Sequence, residues 1–293
     1  MLSEELGTMK GMEVSLKKKA DAQPRFYRPR TVPYTLKKGI EEEIDRLVKQ
    51  SLYIPVSYSA WAAPIVPVEK EDGGIRICGD YKLTVNPATE SDTYPVPKTE
   101  DLLATLNGGE RFTKLDLRQA YQQVRMDEES QKLCTVNTHK GLFQPLRLQF
   151  GIHAAAGRFQ REMEQRLAGI PRTIVRVDDI LVTGCNEEEH FANLEKVLEV
   201  LRSNGLTLKM NKCAFLAPEV VYLGFRVSSR GVEALDDKVK PVLEAPAPVD
   251  VPQLRSFLGM LQYYNRHLSG LASILEPLHW LLRKGQVWQW GAE

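Results

Sequence analysis

Three aspartates stand where a divalent cation would need them. Asp178 and Asp179 are adjacent inside an apolar, β-branched run, Ile-Val-Arg-Val-Asp-Asp-Ile-Leu-Val (174–182), and Asp116 closes a second strand-like run, Phe-Thr-Lys-Leu-Asp (112–116). Two acids side by side among strand formers repel one another unless water or a cation compensates. Taken alone, an Asp-Asp pair reads most simply as a β-turn. If the two strands are neighbours in one sheet, however, Asp116 and Asp178 converge on one edge. They then form an all-oxygen site of the kind Mg²⁺ takes, one or two carboxylates completed by substrate phosphates. Two such ions about 3.5–4 Å apart activate an attacking hydroxyl and steady a leaving pyrophosphate.

Little else in the chain competes with that chemistry. Cys78, Cys134, Cys185 and Cys213 are far apart, with no Cys-x-x-Cys pair and no histidine at zinc-finger spacing. Four reduced thiols in an intracellular protein are expected. The histidines never reach His-Glu-x-x-His spacing, and the glycine signatures of P-loop, dinucleotide and nucleophile-elbow sites are absent. No run approaches ~18 uninterrupted apolar residues, so no membrane partner is expected. The opening Met-Leu-Ser-Glu-Glu lacks the basic and apolar regions of a signal peptide.

Length and composition, 293 residues with 43% hydrophobic and 26% charged, fit two or three packed subdomains. The formal net charge of +1, from 39 basic and 38 acidic side chains, argues as a total against a polyanionic partner. Its distribution argues otherwise. Residues 1–40 hold nine Lys and Arg against four acids, and residues 202–230 hold five against Glu219 alone. Two separated basic segments fit a groove that tracks a phosphate backbone, with the acids of 187–199 on a solvated face.

The elements that must position the carboxylates alternate between strand and helix. Thr35 is placed to cap a helix whose Leu36, Ile40, Ile44, Leu47 and Val48 recur at helical spacing. Residues 63–68 and 74–78 read as a hairpin with a charged tip at 69–73. A short helix over 97–106 and a strand over 111–115 lead to Asp116. A helix over 155–167 carries Phe159, Met163 and Leu167 on one stripe. Strands over 173–177 and 180–183 flank Asp178-Asp179 as the hairpin tip. The strongest helix signal covers 187–203, with Phe191, Leu194, Val197, Leu198 and Leu201 on one face and Gly205 as its stop. Residues 220–227 read as one strand. Beyond Pro246 the chain turns helical, with Asp250 as a cap, Leu254, Phe257, Leu258 and Leu261 on one helix, and Leu271, Ile274, Leu275, Leu278 and Leu282 on the next.

The motifs around these elements occur in a telling order: Arg-Pro-Arg-Thr-Val-Pro-Tyr (28–34), Ser-Ala-Trp-Ala-Ala-Pro-Ile-Val-Pro-Val (59–68), Arg-Ile-Cys-Gly-Asp-Tyr-Lys (76–82), Tyr-Pro-Val-Pro-Lys (94–98), Phe-Thr-Lys-Leu-Asp-Leu-Arg-Gln-Ala-Tyr-Gln-Gln (112–123), Asn-Thr-His-Lys-Gly-Leu-Phe (137–143), Val-Asp-Asp-Ile-Leu-Val (177–182), Lys-Cys-Ala-Phe (212–215) and Tyr-Leu-Gly-Phe (222–225). From about Phe26 onward the sequence resembles the reverse transcriptase of gypsy-type long-terminal-repeat retrotransposons. The resemblance implies an α+β right-hand polymerase fold with fingers, a ferredoxin-like palm and a helical thumb. Boundaries follow at 1–50 for a basic arm and first fingers helix, 51–230 for fingers and palm, and 231–293 for the thumb and start of the connection.

It also implies an RNA-directed DNA polymerase that extends a DNA primer on an RNA or DNA template with dNTPs, using two Mg²⁺ ions that Mn²⁺ replaces. By the same resemblance Asp116, Asp178 and Asp179 are the metal ligands, and Tyr121 is the aromatic gate that excludes a ribose 2′-hydroxyl. Lys70 and Arg76 hold the incoming triphosphate, Phe150-Gly151 is the loop under base and template, Lys212 assists pyrophosphate, and Tyr222-Leu223-Gly224 is the primer grip. Without the resemblance, Tyr121 reads equally as a core tyrosine, and Lys70 and Arg76 as solvated hairpin charge. Ribonuclease H and integrase domains accompany the family's polymerase. Neither a ribonuclease H carboxylate set nor an Asp-[Ser/Thr]-Gly protease motif is found here, and Val287-Trp288-Gln289-Trp290 is the last landmark. A fragment of a Pol polyprotein is expected, in a cytoplasmic particle or the nucleus.

Several motif positions depart from the family. Arg176 stands where an aromatic normally precedes the Asp pair, Gln149 and Ala156 replace two prolines of the template loop, and Ser51-Leu52-Tyr53-Ile54 replaces Gly-Ile-Ile-Glu. The three carboxylates are retained. These changes lead to an expectation of much reduced polymerase activity. The alternative is a catalytically silent, nucleic-acid-binding remnant. A sequence-specific DNA-binding module is not indicated, because no recognition-helix motif appears.

Overall fold

The computed structural model describes residues 6–70, 73–91, 94, 95, 97–263, 270–283, 285, 286, 288 and 289. The chain divides into two compact units, one ending at Pro218 and the other starting at Glu219. The first unit holds two principal sheets. One has five strands in the order Tyr53–Val56, Gly141–Pro145, Val136–Thr138, Ala63–Glu69 and Ile75–Gly79, and the helix Tyr34–Lys49 packs against it. That helix starts one residue before Thr35, on Pro33, and has no side-chain cap; Ile40, Ile44 and Leu47 are its buried stripe. In the hairpin of this sheet Val68 lies opposite Arg76 and Glu69 opposite Ile75; the expected charged tip lies partly outside the described residues, at Glu71 and Asp72.

The other sheet is antiparallel, in the order Ala214–Ala217, Arg111–Asp116, Asp179–Gly184, Thr173–Arg176. Register sets the two acid-bearing strands together: Asp116 faces Asp179, Leu115 faces Ile180, and Thr113 faces Val182. Because side chains alternate, Leu115, Thr113, Ile180 and Val182 turn to one face and are fully buried. The helices His153–Leu167 and Glu187–Ser203 pack against this sheet. Lys114, Asp116 and Asp179 fall on the opposite face. Phe159, Met163 and Leu167 form the buried stripe expected of the first helix.

Several expectations are corrected. The helix before Asp116 is Thr99–Ala104, shorter than 97–106. Asp178-Asp179 is not the hairpin tip: Val177 and Asp178 make the turn, and Asp179 is already paired in its strand. The helix 187–203 holds its bounds, but its buried residues are His190, Asn193, Leu194, Val197 and Leu201, and Phe191 is 50% exposed. Polar His190 and Asn193 displace Phe191 because groups of the two inner strands, at Arg111, Thr113 and Thr183, need partners. His190 accepts at one ring nitrogen from the Thr113 hydroxyl (2.8 Å) and donates at the other to the Arg111 carbonyl (2.9 Å), while Asn193 donates to the Thr183 carbonyl.

Burial lowers the His190 pKa. A group depressed on folding supports the fold above its unfolded pKa of about 6.5 and loses that support as pH falls. We therefore expect His190→Gln to cost about 1–3 kcal/mol at pH 7.5. In urea titrations the gap from wild type should narrow as the buffer is taken to pH 5.

The second unit has a three-stranded meander, Glu219–Tyr222, Phe225–Ser228 and Gly231–Ala234, followed by helices Asp236–Leu243, Val251–Tyr263, Leu271–Ile274 and Glu276–Trp280. The single strand expected over 220–227 is therefore a hairpin, and the second helix of the expected pair is two short pieces. Asp250 caps as expected, accepting from the Gln253 N–H at 2.8 Å. Leu254, Leu258, Leu271 and Leu275 form the core of this unit. No helix among the described residues is long and apolar enough to cross a membrane.

Candidate active site

The acid-bearing edge is held from both sides by backbone bonds. The Asp178 carbonyl accepts from the Leu117 N–H (3.0 Å), and the Asp116 carbonyl accepts from the Lys209 N–H (2.8 Å). The Asp116 N–H donates to Cys213 Sγ at 3.4 Å. Between the strands Val177 takes φ +56°, a left-handed conformation that a β-branched residue rarely adopts. Asp178 follows it at the turn.

Burial pushes the Asp116 carboxyl up from its usual range; Lys212 opposes the shift, and Asp178 and Asp179 reinforce it. Asp178 is likewise raised by burial, with Asp179 adding repulsion and Lys212 and Lys114 opposing it. Asp179 pairs with Lys114 at 3.4 Å. Among the described residues no group of three or more His, Cys, Asp and Glu side chains is gathered to hold a metal ion. Mg²⁺ does not require one, since it binds through one or two carboxylates plus substrate phosphates. Asp116, half-buried, and Asp178, exposed at the turn, repel one another and line one cleft, and so fit that pattern. Asp179 is turned to Lys114.

The cleft measures about 360 Å³ and is lined by Lys70, Arg76, Asp116, Arg118, Phe150, Asp178, Lys209 and Lys212, among others. Four of the five substrate-binding side chains expected from sequence thus gather with two of the three carboxylates. The fifth, Tyr121, sits behind Phe150: its ring meets Phe150 edge-on at 5.1 Å and Phe159 at 5.6 Å. Burial pushes the Tyr121 hydroxyl up to about 12, with Asp178 adding to the shift. Arg76 lies over the Phe150 ring at 5.1 Å, so the fingers cation is seated on the aromatic stack. Gly151 has φ +86°, open to glycine without strain. Asn86 ties this loop to the helix behind it, donating to the Gly151 carbonyl (2.8 Å) and accepting from the His153 N–H (3.0 Å).

The departing positions are built into the fold. Gln149, where a proline was expected, is buried and accepts from the Tyr53 hydroxyl (2.9 Å) while donating to the Arg147 carbonyl (2.8 Å). Ala156 lies in the first turn of the helix His153–Leu167. Arg176 donates to the Pro97 carbonyl at 2.9 Å. In the second unit, Leu223 (φ +50°) and Gly224 (φ +81°) are the two-residue turn of a hairpin, and Tyr222 is fully buried.

Sequence reasoning missed Lys114, Arg118 and Lys209 as parts of the site. Lys114 was marked by spacing, two residues before Asp116 and hence on its face. Lys209 was visible only as one charge in a basic segment.

Residues 68–227, more than half of the chain, match the family of reverse transcriptases (RNA-dependent DNA polymerases). The chain belongs to the reverse transcriptase family. It is 31% identical to the retrovirus-related Pol polyprotein from transposon opus of Drosophila melanogaster over 286 residues, 94% of this chain and 28% of that relative. It is 36% identical to the uncharacterized protein K02A2.6 of Caenorhabditis elegans over 264 residues, 87% of this chain and 21% of that relative. The structure of a foamy viral protease-reverse transcriptase in complex with double-stranded DNA is similar over 98% of this chain and 51% of that one, at 25% identity and a TM-score of 0.81. The fold is the right-hand polymerase fold. The chain spans between a fifth and three tenths of the length of these curated relatives.

Proposed function

We propose that this chain is the polymerase part of a gypsy-type retrotransposon Pol polyprotein, extending a DNA primer on an RNA or DNA template with dNTPs. The observation that carries this reading is the single cleft that Asp116 and Asp178 line together with Lys70, Arg76, Lys212 and Phe150. In the reaction the primer 3′-oxygen bonds to the α-phosphorus, the α–β bridging bond breaks, pyrophosphate leaves, and the hydroxyl proton passes to solvent. Asp116 and Asp178 would hold Mg²⁺, or Mn²⁺ in its place, which when bound lowers the pKa of the attacking hydroxyl and neutralises phosphate charge. Lys70 and Arg76 orient the triphosphate by charge-assisted contacts, and Lys212 offsets the charge of the leaving pyrophosphate. Burial first, and the neighbouring carboxylates second, raise Asp116 and Asp178, and a bound cation would offset both by compensating their charge.

Asp179, paired with Lys114, would serve as a third ligand of the metal. The Leu223-Gly224 turn serves as primer grip. Ribonuclease H and integrase are assigned to other parts of a longer polyprotein, active in a cytoplasmic particle or the nucleus. Tyr121, edge-on to Phe150, acts as the sugar gate. Tyr121→Val is expected to lower discrimination against ribonucleotides by about tenfold or more, a change of ~1.4 kcal/mol, read as the ratio of kcat/KM for dNTP and rNTP.

The reading is tested by Mg²⁺-dependent extension of a DNA primer on an RNA template, comparing wild type with Asp178→Asn. Extension by wild type alone supports it. Equal behaviour of both, with primer–template still bound, identifies a silent nucleic-acid-binding remnant.

A further inference from the structure

We infer that Gln160 is a positioning residue that sets the geometry of the carboxylate hairpin, acting as a one-residue substitute for a missing β-strand. The inference rests on the polymerase reading above for its kinetic consequences only. Thr173–Arg176 is the edge strand of its sheet, paired on one side alone. Its outward carbonyl at Val175, and the N–H of Val177 in the turn that follows it, therefore need partners from elsewhere. Gln160, fully buried on the helix His153–Leu167, supplies both: Nε2 donates to the Val175 carbonyl (2.8 Å) and Oε1 accepts from the Val177 N–H (2.6 Å). A neighbouring strand meets residues flanking a shared position with the same donor and acceptor pair.

The orientation of the carboxamide is fixed from behind. Its second N–H donates to Glu164 at 2.7 Å, and Glu164 accepts a short bond from the Tyr94 hydroxyl, whose ring lies under Arg161 at 5.2 Å. With the carboxamide so held, Oε1 faces the Val177 N–H. Val177 is the β-branched residue at φ +56°, a conformation that persists only where the surroundings impose it. Asp178 is the next residue, so the peptide that Gln160 grips aims a carboxylate of the cleft.

The test is a double-mutant cycle of Gln160→Met with Val177→Gly, glycine accepting φ > 0 without an external clamp. Single-nucleotide incorporation in Gln160→Met is expected to show kcat lowered about tenfold, with the KM for dNTP changed by less than about threefold. In the Val177→Gly background the same substitution should cost less than about threefold in kcat, because the clamp has less to hold. An equal loss in both backgrounds, or a loss confined to KM, would overturn the inference. A readout free of catalysis is amide hydrogen exchange in the wild-type protein. The Val177 amide is expected to exchange at least about tenfold more slowly than a solvent-exposed turn amide. Free exchange at Val177 would overturn the proposal even if Gln160→Met does not fold. Protected exchange in a protein that shows no extension would leave the clamp standing and reject the polymerase reading.

Discussion

Asp116→Asn is expected to abolish primer extension while raising the melting temperature of the metal-free protein at neutral pH. The two effects share one cause. Asp116 is half-buried, and its carboxyl is raised by burial and by the nearby charges of Asp178 and Asp179, against the pull of Lys212. A carboxyl raised on folding supports the fold at acid pH and loses that support as pH rises through its folded value, so at neutral pH the charged group is a burden. Asparagine removes the charge and keeps the size. A rise of roughly 2–4 °C is expected in metal-free buffer at pH 7.5, the shift that about 1 kcal/mol gives a domain of this size. It should shrink towards pH 4. Extension should fall at least about a thousandfold, ~4 kcal/mol, since the proposed metal ligand at the reacting centre is lost. Thermal melts across pH and a primer-extension rate measure both.

Arg76→Ala is the second large effect. The guanidinium sits over Phe150 at 5.1 Å and lines the same cleft as Asp116 and Asp178, so its loss removes the proposed phosphate contact and uncovers the Phe150 ring. A hydrogen bond to a charged group contributes about 1.5–3 kcal/mol, which corresponds to a rise of roughly 10–150-fold in the KM for dNTP. The kcat is expected to change far less. Arg76→Lys should fall between, keeping the charge but losing the planar stack and fork. Steady-state kinetics at varied dNTP separate the two parameters.

Much of the cleft was legible because its residues sit in contiguous motifs whose spacing survives folding. Asp116 at a strand end and Asp178 beyond a second strand required only that the strands be neighbours, and the register delivers that. The finer geometry was not legible. Nothing in Val-Asp-Asp signals that the turn falls on Val177, because a β-branched residue at φ +56° runs against local preference and is imposed by packing. Periodicity placed Phe191 on the buried face of its helix, but hydrogen-bond demand from Arg111 and Thr183 on the inner strands turned His190 and Asn193 inward instead. The run 220–227 reads as one strand because Leu223-Gly224 lacks the usual Asn-Gly signature, although the pair takes the two positive φ angles of a tight hairpin. Lys209 reaches the cleft through a backbone bond to Asp116 that no charge pattern encodes.

The most direct test of the account is single-nucleotide incorporation by the wild-type chain on four RNA templates that differ only in the base opposite the incoming nucleotide. With Mg²⁺ present, each template is expected to direct incorporation of its complementary dNTP, and chelation of the metal should stop all four. Primer–template binding without template-directed incorporation, in Mg²⁺ or in Mn²⁺, would contradict it.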